Sequence, residues 1–172
     1  MSRRILLIGR SGCGKTSLIL RVHEITGGLD SSINLLTDAE MSKTKQAEVV
    51  TDLKAANKTQ AAVYHPDFID VPGEYLEVRS LYRALIMLTC EACGIALVQA
   101  ANDDESLFPT GLARTFDKPV IGIVTKTDVI SSDTDRAEII LHDAGAKKVF
   151  FTSSLTNTGI DELTKHLISL RG

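Results

Sequence analysis

Apolar positions along the chain fall into two rhythms. Ile5-Leu6-Leu7-Ile8, Gly94–Ala101 and Pro119–Val124 are short, almost unbroken apolar runs, as expected of strands covered on both faces. Between them, Leu18, Ile19, Val22 and Ile25 recur at helical spacing, as do Leu81, Leu85, Leu88 and Ala92. In chain order the pattern predicts a strand over Arg4–Ile8 and a helix from Lys15 to Thr26, ended by Gly27-Gly28. Strands Ala61–His65 and Phe68–Val71 follow, joined antiparallel at Pro66-Asp67, and a helix then runs from Arg79 to about Ala92. After strand Gly94–Ala101 come an acidic turn, Asn102–Glu105, and a short helix or loop over Leu107–Phe116. Strand Pro119–Val124, helix Asp133–Ala144 with Gly145 as its stop, strand Lys148–Thr152 and helix Thr158–Leu170 complete the chain. Such alternation predicts an α/β fold: a mostly parallel central sheet flanked by helices, with one antiparallel strand pair before Asp70.

Residues 29–57 break the rhythm. They are polar, and no aromatic residue occurs before Tyr64. Thr37-x-x-Glu40 has the spacing of a capping box, and Val49, Val50, Leu53 and Ala56 share a helical face. Upstream, Ser42, Lys45 and Gln46 occupy the equivalent positions and the face fails. We read an insertion holding one weakly amphipathic helix, either a solvated loop or a partner-binding element. With 172 residues the whole chain fits one domain, 1–172.

Composition narrows the classes. A net charge of −3 lacks the basic footprint of a nucleic-acid binder. No apolar run approaches a membrane span, and no signal segment precedes the first strand, so the expectation is a cytoplasmic protein without membrane contact. Three cysteines are too few for a disulfide framework. Cys90 and Cys93 form a lone C-x-x-C, which we read as buried and structural.

The chemistry begins at Gly9-Arg10-Ser11-Gly12-Cys13-Gly14-Lys15-Thr16, a G-x-x-x-x-G-K-T between a buried strand and a helix start. This is the context of the phosphate-binding P-loop. Its glycines let successive N–H groups point at phosphate oxygens, and the helix start adds partial positive charge. Lys15 would neutralise terminal phosphates and the Thr16 hydroxyl would ligate Mg²⁺.

Three further stretches fit that reading. Asp70-Val71-Pro72-Gly73 ends a strand, where Asp70 would hold Mg²⁺ and the Gly73 peptide would meet the terminal phosphate. Thr125-Lys126-Thr127-Asp128 resembles the guanine-reading N-K-x-D of GTPases, with Thr for Asn. Asp128 would accept from the guanine ring nitrogen and amino group, a donor pair adenine lacks. Thr152-Ser153-Ser154-Leu155 resembles the S-A-K loop behind the base, without its lysine, and adds Ser153 and Ser154 to the base site. A switch threonine is also needed to reach Mg²⁺ and the terminal phosphate. Thr59 in Lys58-Thr59-Gln60-Ala61 is our choice, with Thr44 as the alternative.

Taken together, Gly9–Thr16, Lys58-Thr59-Gln60-Ala61, Asp70-Val71-Pro72-Gly73-Glu74-Tyr75, Ala101-Asn102-Asp103 and Thr125–Asp128 resemble the EutP/PduV proteins of bacterial microcompartments for ethanolamine and propanediol utilisation. Leu76-Glu77-x-Arg79 and Val149-Phe150-Phe151-Thr152-Ser153 look closer to the propanediol branch. The likeness covers the chain except about 29–57. It implies a Ras-like GTPase fold and association with a microcompartment, whose shell or enzyme proteins would be met through 29–57.

Three functions follow as expectations. The first is a purine-nucleotide switch, GTP/GDP favoured and ATP as the other candidate, with slow Mg²⁺-dependent hydrolysis. The second, implied by the ethanolamine branch, is an ATP-dependent acetate kinase. The third is a docking module with little catalysis. Glu74 stands where a Ras-like GTPase carries its water-orienting glutamine; a carboxylate there would act as a base yet repel the terminal phosphate. Lys15, Thr59 and Glu74 are the catalytic candidates. Arg10 would cover the phosphates or face solvent, and Arg79 and Arg83 would reach transition-state charge or make surface ion pairs.

Overall fold

The computed structural model describes residues 4–27 and 61–171. The amphipathic helix expected within 29–57 and both switch-threonine candidates, Thr44 and Thr59, lie outside the described residues.

The described chain runs β1 (Arg4–Ile8), α1 (Lys15–Thr26), β2 (Val63–Tyr64), β3 (Phe68–Asp70), α2 (Glu74–Glu77), a 3₁₀ turn (Arg79–Leu81) and α3 (Tyr82–Cys90). It continues through β4 (Ala92–Ala100), a 3₁₀ turn (Leu112–Thr115), β5 (Val120–Thr125), α4 (Thr134–Asp143), β6 (Val149–Phe151) and α5 (Ile160–Leu170). The strands form one sheet in the order β2-β3-β1-β4-β5-β6. All neighbours are parallel except β2 and β3, where Val63 faces Asp70 and Tyr64 faces Ile69.

Period-two alternation on the central strands divides the core. Ile5 and Leu7 of β1, with Ala96 and Val98 of β4, pack with Leu18, Ile19 and Val22 of α1 and Leu163 and Leu167 of α5. Leu6, Ile8, Ile95 and Leu97 face the other way, onto Leu81, Leu85, Leu88 and Leu141. Both faces of β1 are therefore dry, which is why its sequence is unbrokenly apolar. Each of these buried aliphatic side chains contributes about 2 kcal/mol of transfer free energy.

Several expectations shift. The helix expected from Arg79 to Ala92 starts as a 3₁₀ turn and is α-helical only over Tyr82–Cys90; the short α2 before it is set apart by Val78, which is extended (φ −103°, ψ 112°). Ala92 leaves that helical face and opens β4, where it pairs with Arg4. Ile25 follows the helical rhythm but is 42% exposed, since the core contact of α1 ends at Val22. Leu107–Phe116 contains only the 3₁₀ turn. Of the cysteines, Cys13 is buried, Cys93 is half-buried with its thiol donating to the Arg4 carbonyl, and Cys90 is exposed rather than structural. Among the described residues no helix is long and apolar enough to cross a membrane.

Candidate functional site

Parallel strands deliver their following loops to one edge of a sheet, and here those of β1, β3, β5 and β6 meet. The loop after β1 turns into α1 at Gly14, which has φ 96°, a conformation that a side chain would strain. No side chain caps α1 and no acid lies in its first turn. Its leading N–H groups therefore present an open site for an anion. By contrast, the Asp133 carboxylate caps α4 by accepting from the Arg136 N–H at 2.9 Å.

Lys15 is buried, and its ammonium donates to the Gly9 and Arg10 carbonyls at 2.9 and 3.1 Å. A buried cation needs such partners, and only neutral dipoles supply them here. The Thr16 hydroxyl donates at 2.7 Å to the Asp70 carboxylate, joining the start of α1 to the end of β3. A hydroxyl and a carboxylate oxygen side by side are hard donors of the kind Mg²⁺ accepts, so the residues present fit that ion.

Gly73 brings the next segment against this loop. A Cβ on Gly73 would collide with the Ser11 nitrogen and the Arg10 carbonyl carbon, so the two backbones are in direct contact. Glu74 follows as the first residue of α2. Its Oε2 is buried with no hydrogen-bond partner among the described residues. Ser11 and Gly12 are exposed at the crest of the loop, while Cys13 points inward. Burial pushes the Cys13 thiol up, against the lowering effect of Lys15, and keeps it protonated and inert.

Arg10 does not extend freely over the loop. Its guanidinium is held by Asp103 at 3.0 Å and Glu105 at 2.9 Å, in the turn after β4. That turn is fixed from below by Gln99, whose amide donates to the Asp103 and Glu105 carbonyls. Gln99 is a buried polar residue in an otherwise apolar strand, a signal visible in the sequence that we did not use. Arg79 and Arg83 are both exposed.

The β5 and β6 loops build the other half. Thr125 is buried, and its hydroxyl donates to the Cys13 carbonyl at 2.5 Å. Its one O–H is thus committed to the P-loop backbone, which leaves its oxygen lone pairs as what it can offer a base. Lys126 takes a left-handed conformation, φ 58°, turning the chain toward Asp128. Asp128 is exposed, and its Oδ1 accepts from the Ser153 hydroxyl at 2.5 Å. The same Ser153 oxygen accepts from the Leu155 and Thr156 N–H groups at 3.2 and 3.1 Å. The Ser154 carbonyl accepts from Arg21 of α1 at 2.8 Å, a tie with no prior sequence signal. The edge of the sheet therefore brings together Lys15, Thr16, Asp70, Gly73 and Glu74 on one side, and Thr125, Asp128 and Ser153 on the other.

This is the Ras-like P-loop architecture. A solved structure with the same fold is Methanosarcina barkeri Roco2 RocCORdC bound to GDP, at TM-score 0.53 and 21% identity, covering 99% of this chain and 49% of that one. The chain thus spans about half the length of that neighbour. The chain belongs to the PduV-EutP family, ethanolamine utilisation - propanediol utilisation, whose model matches residues 30–169. That span runs across residues 30–57, which we expected to stand outside the resemblance. The chain is 43% identical to propanediol utilization protein PduV of Citrobacter freundii over 162 residues, 94% of this chain and 90% of that protein. It is 28% identical to probable acetate kinase EutP of Escherichia coli K12 over 171 residues, 98% of this chain and 91% of that one.

Proposed function

We propose that the chain binds a guanine nucleotide with Mg²⁺ at this edge and hydrolyses GTP slowly, in the service of propanediol-type catabolism. The observation that carries the reading is the convergence of an uncapped α1, the buried Lys15 and the Thr16–Asp70 pair on one cradle. The phosphates take the N–H groups of Gly9–Thr16, and the Lys15 ammonium turns from carbonyl dipoles to full negative charge. Thr16 and Asp70 would hold Mg²⁺, which neutralises phosphate charge when bound. Thr59 is assigned the remaining place at the metal, and the Gly73 peptide the terminal phosphate.

The base falls to Asp128, held by Ser153, with Lys126 along the ring and Ser154 behind it. In hydrolysis a water oxygen attacks the terminal phosphorus and the bond to the bridging oxygen breaks. Glu74 accepts the water proton, its charge opposing the phosphate and keeping the rate low. Likeness to a protein named for propanediol utilisation supports the pathway, and we assign a microcompartment in the cytoplasm as the place of action.

A second reading, phosphoryl transfer from ATP to acetate, draws on the relative named probable acetate kinase. A third, docking through 29–57 with little catalysis, is separated by a Lys15→Ala variant that docks normally. The deciding test is equilibrium binding of GDP, GTP, ADP and ATP with Mg²⁺, on wild type and Asp128→Ala. A guanine margin of about tenfold, roughly 1.4 kcal/mol, that vanishes in the variant upholds the switch reading. Preference for ATP, with acetyl phosphate formed from acetate, would replace it by the kinase.

A further inference from the structure

A second cavity opens at the opposite edge of the sheet, where β5 and β6 begin. It measures about 590 Å³, within the range of roughly 300–1,000 Å³ typical of small-ligand sites. The six residues of β5 separate it from Thr125 by about 17 Å. Its floor is apolar, made by Phe116, Pro119 and Leu170. Its rim is basic: Arg114, Lys118, Lys147 and Lys148 all line it. None of these four makes an ion pair among the described residues. On a chain of net charge −3, four cations line this cavity and none of its lining residues is acidic, with Glu162 the acid that acts on it from outside.

His166 closes one side. Its ring lies 5.0 Å from that of Phe150, over which Lys148 places its ammonium at 4.6 Å. Burial, followed by the Lys148 charge, pulls the His166 pKa below its ordinary value, with Glu162 opposing. Burial disfavours charge of either sign, but the Lys148 contribution has the sign that favours a negative group nearby.

We propose that this cavity binds a small free organic anion, its apolar body on Phe116, Pro119 and Leu170 and its carboxylate or phosphate group on Lys118, Lys147 and Lys148. An apolar floor alone would take a neutral molecule; a basic patch alone would take inorganic phosphate. The combination selects a molecule carrying both characters. Because the rim is partly exposed, its hold weakens with salt. The site lies apart from the nucleotide edge, so the two ligands bind together.

The test uses the intact chain with GDP and Mg²⁺ present, and 8-anilinonaphthalene-1-sulfonate as the apolar anion. Its uncharged analogue N-phenyl-1-naphthylamine and inorganic phosphate serve as single-character probes. Saturable one-to-one binding of the sulfonate is expected, at least tenfold tighter than either control. The amide resonances of Gly145, Lys148 and His166 should move, and the His166 pKa should rise. Lys118→Glu/Lys148→Glu should weaken the sulfonate at least tenfold while GDP affinity holds. Equal binding of sulfonate and neutral analogue, perturbations confined to the nucleotide edge, or no saturable binding would each overturn the proposal. Mapping on wild type stands even where the double variant fails to fold.

Discussion

The two halves of the nucleotide edge are finished to different degrees. On the β5–β6 side the polar groups hold one another: Thr125 holds Cys13, Ser153 holds Asp128, and two N–H groups hold Ser153. On the β1–β3 side Thr16 holds Asp70, yet three features are left open among the described residues: helix α1 is uncapped, Lys15 rests on the carbonyls of its own loop, and Glu74 keeps a buried oxygen without a partner. On the function proposed above, the base side is preorganised and the phosphate side is completed by its ligand. Substitutions on the first should change selectivity or stability, and on the second, affinity and rate.

Lys15→Ala should break the comparison most visibly. It removes the one positive charge buried in the cradle among the described residues, and affinity for GDP–Mg²⁺ should fall about a hundredfold, roughly 2.7 kcal/mol, by calorimetry. The fold should survive, because both hydrogen bonds lost lie within one loop and the sheet and its packed helices are untouched. An unchanged affinity would separate the P-loop from nucleotide binding.

Asp128→Ala comes next, with loss of the tenfold guanine margin and little change in affinity for inorganic pyrophosphate. Ser153→Ala should narrow the same margin by about threefold, roughly 0.65 kcal/mol, since Asp128 loses its holder but not its charge. Equal selectivity in Ser153→Ala and wild type would show that the short Ser153–Asp128 bond does not set the base.

Thr125→Val tests the link between halves. It keeps the shape and leaves the Cys13 carbonyl without its donor, a cost of about 1–3 kcal/mol in urea unfolding. Phosphate affinity should fall with it, whereas base selectivity should not. A change in selectivity alone would tie Thr125 to the base.

That link was not legible beforehand. Strands such as β1 and β4 could be read because burial on both faces imposes unbroken apolar runs, and the P-loop because its glycines and its Lys-Thr pair sit at fixed spacing. The Thr125–Cys13 bond spans 112 positions, and only the sheet order β1-β4-β5 brings those loops together. Nor does helical periodicity reveal where a helix ends: Leu81, Leu85 and Leu88 kept the rhythm, but Ala92 fits it while belonging to a strand. Arg10 was legible as a P-loop cation, yet its pairing with Asp103 and Glu105 depends on a turn that Gln99 fixes.

Glu74→Gln should produce an effect as small as that of Ser153→Ala and the sharpest distinction. The substitution keeps the size of the side chain and removes its negative charge. GDP never meets that charge, whereas the terminal phosphate of GTP does if Gly73 and Glu74 stay against the P-loop as they are. The ratio of GTP to GDP affinity should therefore rise about threefold, roughly 0.65 kcal/mol. Single-turnover hydrolysis should fall in the same variant, because loss of the proton acceptor outweighs relief of the repulsion it exerted. The two readouts are independent. A raised ratio with an unchanged rate places Glu74 beside the phosphate but outside the chemistry, and an unchanged ratio moves it away from the phosphate altogether.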